Sequence, residues 1–190
     1  KENYYSKSYF KTINSDLYKP QRFFNSFVKS LLLEKYKEQK WVIDLGGGRG
    51  ADFFRYAKYK MNNILFLDND SDGLTELLTK KRIFLTGKQE SGEKAKNISY
   101  IIDRKMGIYI LEMDLNNKYN ININHIKKKI PIVPIKNISL IWCSFTFHYF
   151  MNNIRQLENI ILFINNIIAI NGLVIILTYD GEKIFNLLKN

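Results

Sequence analysis

A chain of 190 residues with 46% hydrophobic and 25% charged residues has the make-up of one globular domain with room for a real core. Its one cysteine, Cys143, excludes a disulfide framework and a CxxC metal pair, and points to a reducing, intracellular setting such as the cytoplasm. The 29 basic and 18 acidic residues leave a formal net charge of +11, which suits a polyanionic partner, nucleic acid above all; a chain so rich in Lys, Asn, Ile and Tyr also owes some of its lysines to A/T-rich codons.

Residues 1–20 are polar and aromatic without a period and read as an arm ahead of a domain over residues 21–190. Lys1 to Phe10 lacks the apolar centre of a signal peptide, and the chain reads as a piece of something longer. Gln21 to Tyr36 is predicted to be a helix with Phe24, Phe27, Val28, Leu31 and Leu32 along one stripe. Trp41 to Leu45 is the first predicted strand, followed by glycines at 46, 47, 48 and 50 and a helix from Ala51 to Lys60. Ile64 to Leu67 is a second strand ending at Asp68, after which Ser71 caps a helix to about Lys81.

Thr86 to Lys96 is polar, contains Gly87 and Gly92, and reads as a mobile insertion. Ile108 to Met113 is a third strand ending at Asp114, and Asn116 to Asn137, with its prolines and the run Lys127 to Lys129, is expected to be irregular. Ser139 to Cys143 is a fourth strand, Asn152 to Ile168 a long helix, Leu173 to Thr178 a fifth strand and Gly181 to Leu188 a last helix. The uncharged stretch from Asn159 to Tyr179 is broken by Asn165, Asn166 and Asn171-Gly172, so it reads as helix, turn and buried strand and not as a bilayer span. Alternating helices and apolar strands give an α/β fold, a mostly parallel sheet with helices on both faces.

In such sheets ligands sit beyond the carboxyl ends of the strands, where Asp44, Asp68, Asp114 and the segment Ser144 to Tyr149 converge. Glycine-rich backbone between a strand and a helix approaches a nucleoside closely, and a carboxylate ending the next strand suits ribose hydroxyls. The glycine spacing departs from a dinucleotide fingerprint, and Asp52 places negative charge where a pyrophosphate would lie. A sulfonium cofactor bearing an ammonium, S-adenosylmethionine, fits better, with Asp44 or Asp52 as the ammonium's partner. The dense aromatics of Phe145, Phe147, Tyr149 and Phe150 at that edge could sandwich a flat base and His148 could bond its rim, although Phe147 and Phe150 taken singly are core residues.

These blocks resemble the mRNA cap guanine-N7 methyltransferases, in particular their viral and cytoplasmic-element branch. RFFNSFVKSLLL (Arg22 to Leu33) is similar to that family's N-terminal helix, VIDLGGGRGADFFRY (Val42 to Tyr56) to its cofactor loop, FTFHY (Phe145 to Tyr149) to its cap-site block, and GLVIILTYDGEKIFNLL (Gly172 to Leu188) to the strand and helix that follow. The resemblance implies a Rossmann-like class I methyltransferase fold, of which the family's last two strands are missing after Leu188, so that either the chain is truncated or the pocket is incomplete. It implies that Lys29, Asp44, Gly46, Asp52 and Asp68 hold S-adenosylmethionine, with Asp114, Ser144 and Thr146 near the adenine. Asn25, His148 and Tyr149 would meet the cap guanine, and other capping domains or a stimulatory subunit would be partners. Departures are Ser144 where glutamine is usual, Asn171 where proline is usual, and Ser26 in place of a second asparagine.

N7 of guanine carries a free lone pair, so the implied methyl transfer needs positioning residues and no catalytic acid or base. No DPPY, NPPY or Pro-Cys block signals adenine-N6 or cytosine-C5 chemistry. A methyltransferase with another nucleic-acid acceptor, a non-catalytic RNA-binding or regulatory subunit, and an NAD-dependent reductase are the competing readings.

Overall fold

The computed structural model describes residues 19–88 and 105–188, so most of the expected arm (1–20) and most of the expected insertion (86–96) lie outside the described residues. The chain divides into two compact units, Lys1–Lys37 and Glu38–Asn190. In the first, helix α1 (Lys19–Lys35) starts two residues before its expected bound. Its predicted apolar stripe is largely open: Phe24, Phe27 and Leu31 are exposed, with Phe23 beside them, while Leu33 is buried.

The second unit is built on five parallel strands, β1 (Val42–Leu45), β2 (Asn63–Asp68), β3 (Gly107–Glu112), β4 (Ile138–Ser144) and β5 (Ile168–Leu177), in the order β3-β2-β1-β4-β5. This is the order of an open, doubly wound sheet, with β1 at its centre. Val42 pairs with Ile64 on one side and Leu140 on the other, and all four β1 residues are buried. Trp41, just before β1, is tied to β4: its N–H donates to the Ser139 hydroxyl at 3.1 Å, and its carbonyl accepts from that hydroxyl at 2.8 Å and from the Leu140 N–H at 3.1 Å.

Side chains alternate across the sheet. Ile43, Leu45, Leu65, Leu67 and Ile141 join an aliphatic core with Ile123 and Ile126 of α4 (Tyr119–Lys129) and Ile160, Phe163 and Ile167 of α5 (Ile154–Ile167). Asp44, Phe66 and Trp142 face the other way, toward Phe53 and Tyr56 of α2 (Phe53–Lys58), and Phe53 in turn meets Phe84 of α3 (Ser71–Thr86) edge-on. A last helix, α6, spans Gly181–Leu188. No described helix is long and apolar enough to cross a membrane.

The expected irregular segment from Asn116 to Asn137 contains helix α4. Its first N–H, on Tyr119, is capped from α5 by Asn159 Oδ1 at 2.7 Å, and buried Asn122 returns hydrogen bonds to the carbonyls of Asp114 and Asn117. Helix α3 reaches Thr86, five residues beyond Lys81, and closes on Gly87 in the left-handed conformation. Ser71 is its first residue and not its cap, and the Ser71 hydroxyl donates to Glu112 at 2.8 Å. The expected turn at Asn171-Gly172 lies inside a continuous β5, as an irregularity of register opposite Ile138 and Leu140.

Candidate active site

Between β1 and α2 the backbone turns over three residues of positive φ, Gly46 (72°), Gly48 (45°) and Gly50 (67°). The Gly46 N–H donates to Leu67 O at 2.8 Å, folding the turn back over β2, and Gly50 N–H closes it on Gly47 O at 2.8 Å. At Gly46 a Cβ would fall 2.7 Å from the Thr146 side chain, so only glycine lets the loop after β4 sit on the turn. At Gly48 a Cβ would meet nothing nearer than Asp68 Oδ2 at 3.7 Å, so the turn is open there.

Asp68 ends β2 half-buried, held by two backbone donors: Gly48 N–H to Oδ2 at 2.7 Å and Asp70 N–H to Oδ1 at 2.8 Å. Each oxygen keeps accepting capacity. Asp44 is buried and accepts from the Tyr56 hydroxyl at 2.8 Å. Burial first, then the negative charges of Asp44 and Asp52, hold the Tyr56 phenol well above the usual tyrosine range, so it stays a donor to Asp44. Asp52 is buried as well, paired with Arg55 at 2.9 Å and accepting from the Trp142 indole at 3.2 Å, so both of its oxygens are engaged within the domain.

Asp114 is exposed two residues beyond β3 and accepts from the Asn116 N–H at 2.9 Å; the next strand joins it to Asp68 through Met113 N–H to Asp68 O at 2.7 Å. At the end of β4 the buried Ser144 hydroxyl has no hydrogen-bond partner among the described residues. The loop that follows is pinned on both sides: Phe145 N–H donates to Leu177 O at 2.7 Å, and Thr146 Oγ1 donates to Leu45 O at 2.8 Å. Phe145 takes a positive φ of 60°, a costly conformation for an aromatic residue, and lies against Tyr179. A 3-10 turn over Phe147–Phe150 then directs Phe150 into the aliphatic core, with Phe147 against it edge-on, and leaves His148 and Tyr149 exposed with ring centroids 4.1 Å apart.

The carboxyl edge of the sheet therefore brings together Asp44, Gly46, Asp52, Asp68, Asp114, Ser144, Thr146, His148 and Tyr149. Within that set Thr146 is committed to Leu45 and Asp52 to Arg55 and Trp142. Asn25 and Lys29 belong to α1, in the first unit, where both are half-buried.

Two supports escaped the sequence. Tyr56 is an unremarked aromatic whose only signal is its place on the helix after the glycines. Lys80, on α3, donates from Nζ to the carbonyls of Arg49 (2.6 Å) and Gly50 (3.1 Å), while Glu76, one helical turn earlier, pairs with the Arg49 side chain. Burial lowers the Lys80 pKa, and its two carbonyl partners tie α3 to the far end of the glycine turn. The i, i+4 spacing of Glu76 and Lys80 was legible, but not that both reach the turn.

No protein-family model matches the chain. It is 30% identical over 183 residues to the mRNA-capping enzyme of African swine fever virus (isolate Tick/South Africa/Pretoriuskop Pr4/1996), a match covering 96% of this chain and 20% of that protein. It is 26% identical over 181 residues to the probable mRNA-capping enzyme of Acanthamoeba polyphaga mimivirus, covering 88% of this chain and 14% of that protein. The chain thus spans about a fifth or less of the length of these relatives. Among solved structures, a putative S-adenosyl-L-methionine-dependent methyltransferase from Methanococcus maripaludis superposes with a TM-score of 0.51 at 16% identity, covering 88% of this chain and 59% of that one. With its parallel five-stranded sheet and these likenesses, the chain has the class I methyltransferase fold and is a relative, over nearly its whole length, of viral mRNA-capping enzymes.

Proposed function

We propose that this chain binds S-adenosylmethionine at the carboxyl edge of its sheet and methylates N7 of the guanine in a GpppN RNA cap. The observation that carries the reading is the pinning of the His148–Tyr149 loop onto the glycine turn, through Thr146 and Gly46, in a relative of capping enzymes. The edge suits the cofactor: the turn is open at Gly48, the buried Ser144 hydroxyl wants a polar partner, and Asp44 and Asp68 match an ammonium and a pair of ribose hydroxyls. When bound, S-adenosylmethionine supplies an electrophilic methyl group on a sulfonium.

The chain's own residues supply position. Tyr56 fixes Asp44, and the N–H groups of Gly48 and Asp70 fix Asp68, so neither carboxylate reorganises on binding. His148 and Tyr149 offer adjoining rings to frame a purine; the roles of Asn25 at the cap and Lys29 at the cofactor rest on the family resemblance alone. Since N7 already has its lone pair, holding it in line with the methyl carbon is the whole catalytic task. On this reading capped RNA is the acceptor, and other segments of a longer capping polypeptide or a stimulatory subunit would be the protein partners.

The test is incubation of the full chain with methyl-labelled S-adenosylmethionine and GpppG-RNA, then nuclease digestion. Labelled 7-methylguanosine is expected. Cofactor binding with label on another nucleotide would point to a different acceptor, and failure to bind the cofactor by calorimetry would leave a non-catalytic RNA-binding or regulatory subunit.

A further inference from the structure

The other end of the sheet is predominantly basic, with Glu38 the acidic residue among its lysines. Asp44, Asp68, Asp70 and Asp114 stand at or just beyond the carboxyl ends of the strands. At the amino ends are Lys40 before β1, Lys58 and Lys60 before β2, Lys127, Lys128 and Lys129 in the last turn of α4, and Lys136 before β4, every one exposed. Backbone bonds tie these loops into one surface: Asn62 N–H to Gln39 O (2.9 Å), Gly107 N–H to Asn62 O (2.8 Å) and Lys136 N–H to Ile167 O (2.9 Å). Among the described residues none of these seven lysines is in a salt bridge. The strands they precede, β2, β1 and β4, are neighbours about 4.8 Å apart. A cleft of about 400 Å³ lined by Lys40, Trp41, Pro134, Asn137 and Ser139 opens among them.

Two ordinary explanations fall short. The helix dipole favours cations in the last turns of α2 and α4, which covers Lys58 and Lys127 to Lys129 but not Lys40 or Lys136, which lead into strands. Codon bias accounts for lysine in general, yet Lys60 and Lys136 have left-handed backbone, φ 57° and 69°, where asparagine is the better fit and is equally A/T-rich. Lysine stands at both positions against local preference.

We infer that this amino-end face is a second nucleic-acid contact, a track for the phosphates of single-stranded RNA remote from the methyl-transfer edge. The inference rests on the proposed function only for the identity of the RNA's 5′ end. The seven residues of β4 separate the two ends by about 20–25 Å, so an RNA held at both must run several nucleotides past its cap. Short caps therefore use one end and long transcripts use both.

The test compares the wild-type full chain with a variant carrying K40Q, K58Q, K60N, K127Q, K128Q, K129Q and K136N, the two asparagines preserving the left-handed backbone. Binding of an uncapped RNA of about 20 nucleotides is measured by anisotropy across salt; each lost phosphate contact flattens the log–log salt slope by about 0.7, so a flattening of about 3–5 and at least a tenfold weaker affinity are expected. kcat/KM should stay level for GpppG and fall for the long capped RNA. Photo-crosslinking of wild type with RNA labelled several nucleotides from its 5′ end should mark peptides containing Lys40 or Lys127 to Lys129, which keeps the inference testable if the variant folds poorly. Unchanged affinity and slope in a variant that still binds S-adenosylmethionine would overturn it, and so would a variant that loses only a polyglutamate probe, which would make the face a seat for an acidic protein. If no chain methylates caps yet the RNA slope still flattens, the proposed reaction fails and the track stands.

Discussion

The two faces of the sheet are built from different chemistry. Against α4 and α5 the contacts are mainly aliphatic, from Ile43, Leu45, Leu65 and Ile141 to Ile123, Ile126, Ile160 and Ile167, with Phe163 and Phe150 among them and the stacked Trp41–Tyr109 pair joining the same cluster. Against α2 and α3 they are aromatic, Phe53, Tyr56, Phe66, Phe84 and Trp142, with two carboxylates buried in their midst. The first face is held by volume, which tolerates any well-packed substitute. The second is held by direction, because the Tyr56 hydroxyl and the Trp142 indole are each the donor to a buried acid. Asp44 belongs at once to that aromatic core and to the proposed cofactor edge, so stability and ligand affinity should be coupled on the aromatic face and separable on the aliphatic one.

The strongest attempt to break this contrast is Phe163→Ala. The ring is fully buried in the aliphatic core, so the substitution should cost about 3–5 kcal/mol of unfolding free energy, measured by urea titration. Calorimetry on the folded fraction should find S-adenosylmethionine affinity unchanged; a matching loss of affinity would show that the faces are not independent. Tyr56→Phe should cost less, about 1–3 kcal/mol, because it deletes one hydroxyl and leaves a buried carboxylate short of a donor, but it should weaken cofactor binding as well.

Both faces also hold a group that tests them by alkali. Burial, then neighbouring carboxylates, raise Tyr56 above its ordinary 10.0, so the native state grips that proton more tightly than the unfolded chain. Its contribution is complete below pH 10 and drains away as pH climbs toward the higher native value. Cys143, among the aliphatic residues, is pushed from 9.0 to about 11 by burial, so its contribution is whole below pH 9 and lost between there and 11. Urea midpoints across this range should fall less steeply in Cys143→Ala from pH 9 and in Tyr56→Phe only from pH 10. A wild-type midpoint flat to pH 11 would contradict both.

The contrast also explains what the sequence let through. Strands β1, β2 and β4 are near-continuous apolar runs because both faces are covered, and their carboxyl ends were marked by Asp44 (one residue before the end of β1), Asp68 and the Ser144 segment. Helix α4 was hidden because Asn120, Asn122 and Asn124 lower its intrinsic propensity, and its cap, Asn159, is supplied by another helix. The apolar spacing of Ile123, Ile126 and Ile130 was the available signal. Asn171-Gly172 looked like a turn because glycine is required there, but for a different cause: a Cβ would lie 2.8 Å from Ile138 O, so the glycine serves a bulge in the strand. At the site, residue types and strand ends were legible, whereas the commitment of Thr146 and Asp52 to internal partners was not. Hydroxyls and carboxylates look alike in sequence whether they face a ligand or their own fold.

Lys80 sharpens the comparison from outside the aromatic core. Lys80→Met removes donors from the carbonyls of half-buried Arg49 and buried Gly50, so the stability loss should be about 1–3 kcal/mol. Cofactor affinity should also drop several-fold, with Lys80→Arg recovering part of it; equal binding in all three proteins would show that the turn keeps its shape unaided.

The smallest stability effect is expected where neither face is touched. His148 and Tyr149 are exposed on a turn whose anchors, Thr146 and Phe150, are separate residues, so His148→Ala and Tyr149→Ala should each leave unfolding free energy within about 0.5 kcal/mol of wild type. If their rings frame the purine, methyl transfer to GpppG-RNA should fall at least tenfold in each, through KM for the capped acceptor, with S-adenosylmethionine affinity intact. A variant that kept full transfer would move the acceptor away from this turn. One that lost cofactor affinity would instead tie these rings to the glycine turn through Thr146, making them part of the same coupled face as Asp44.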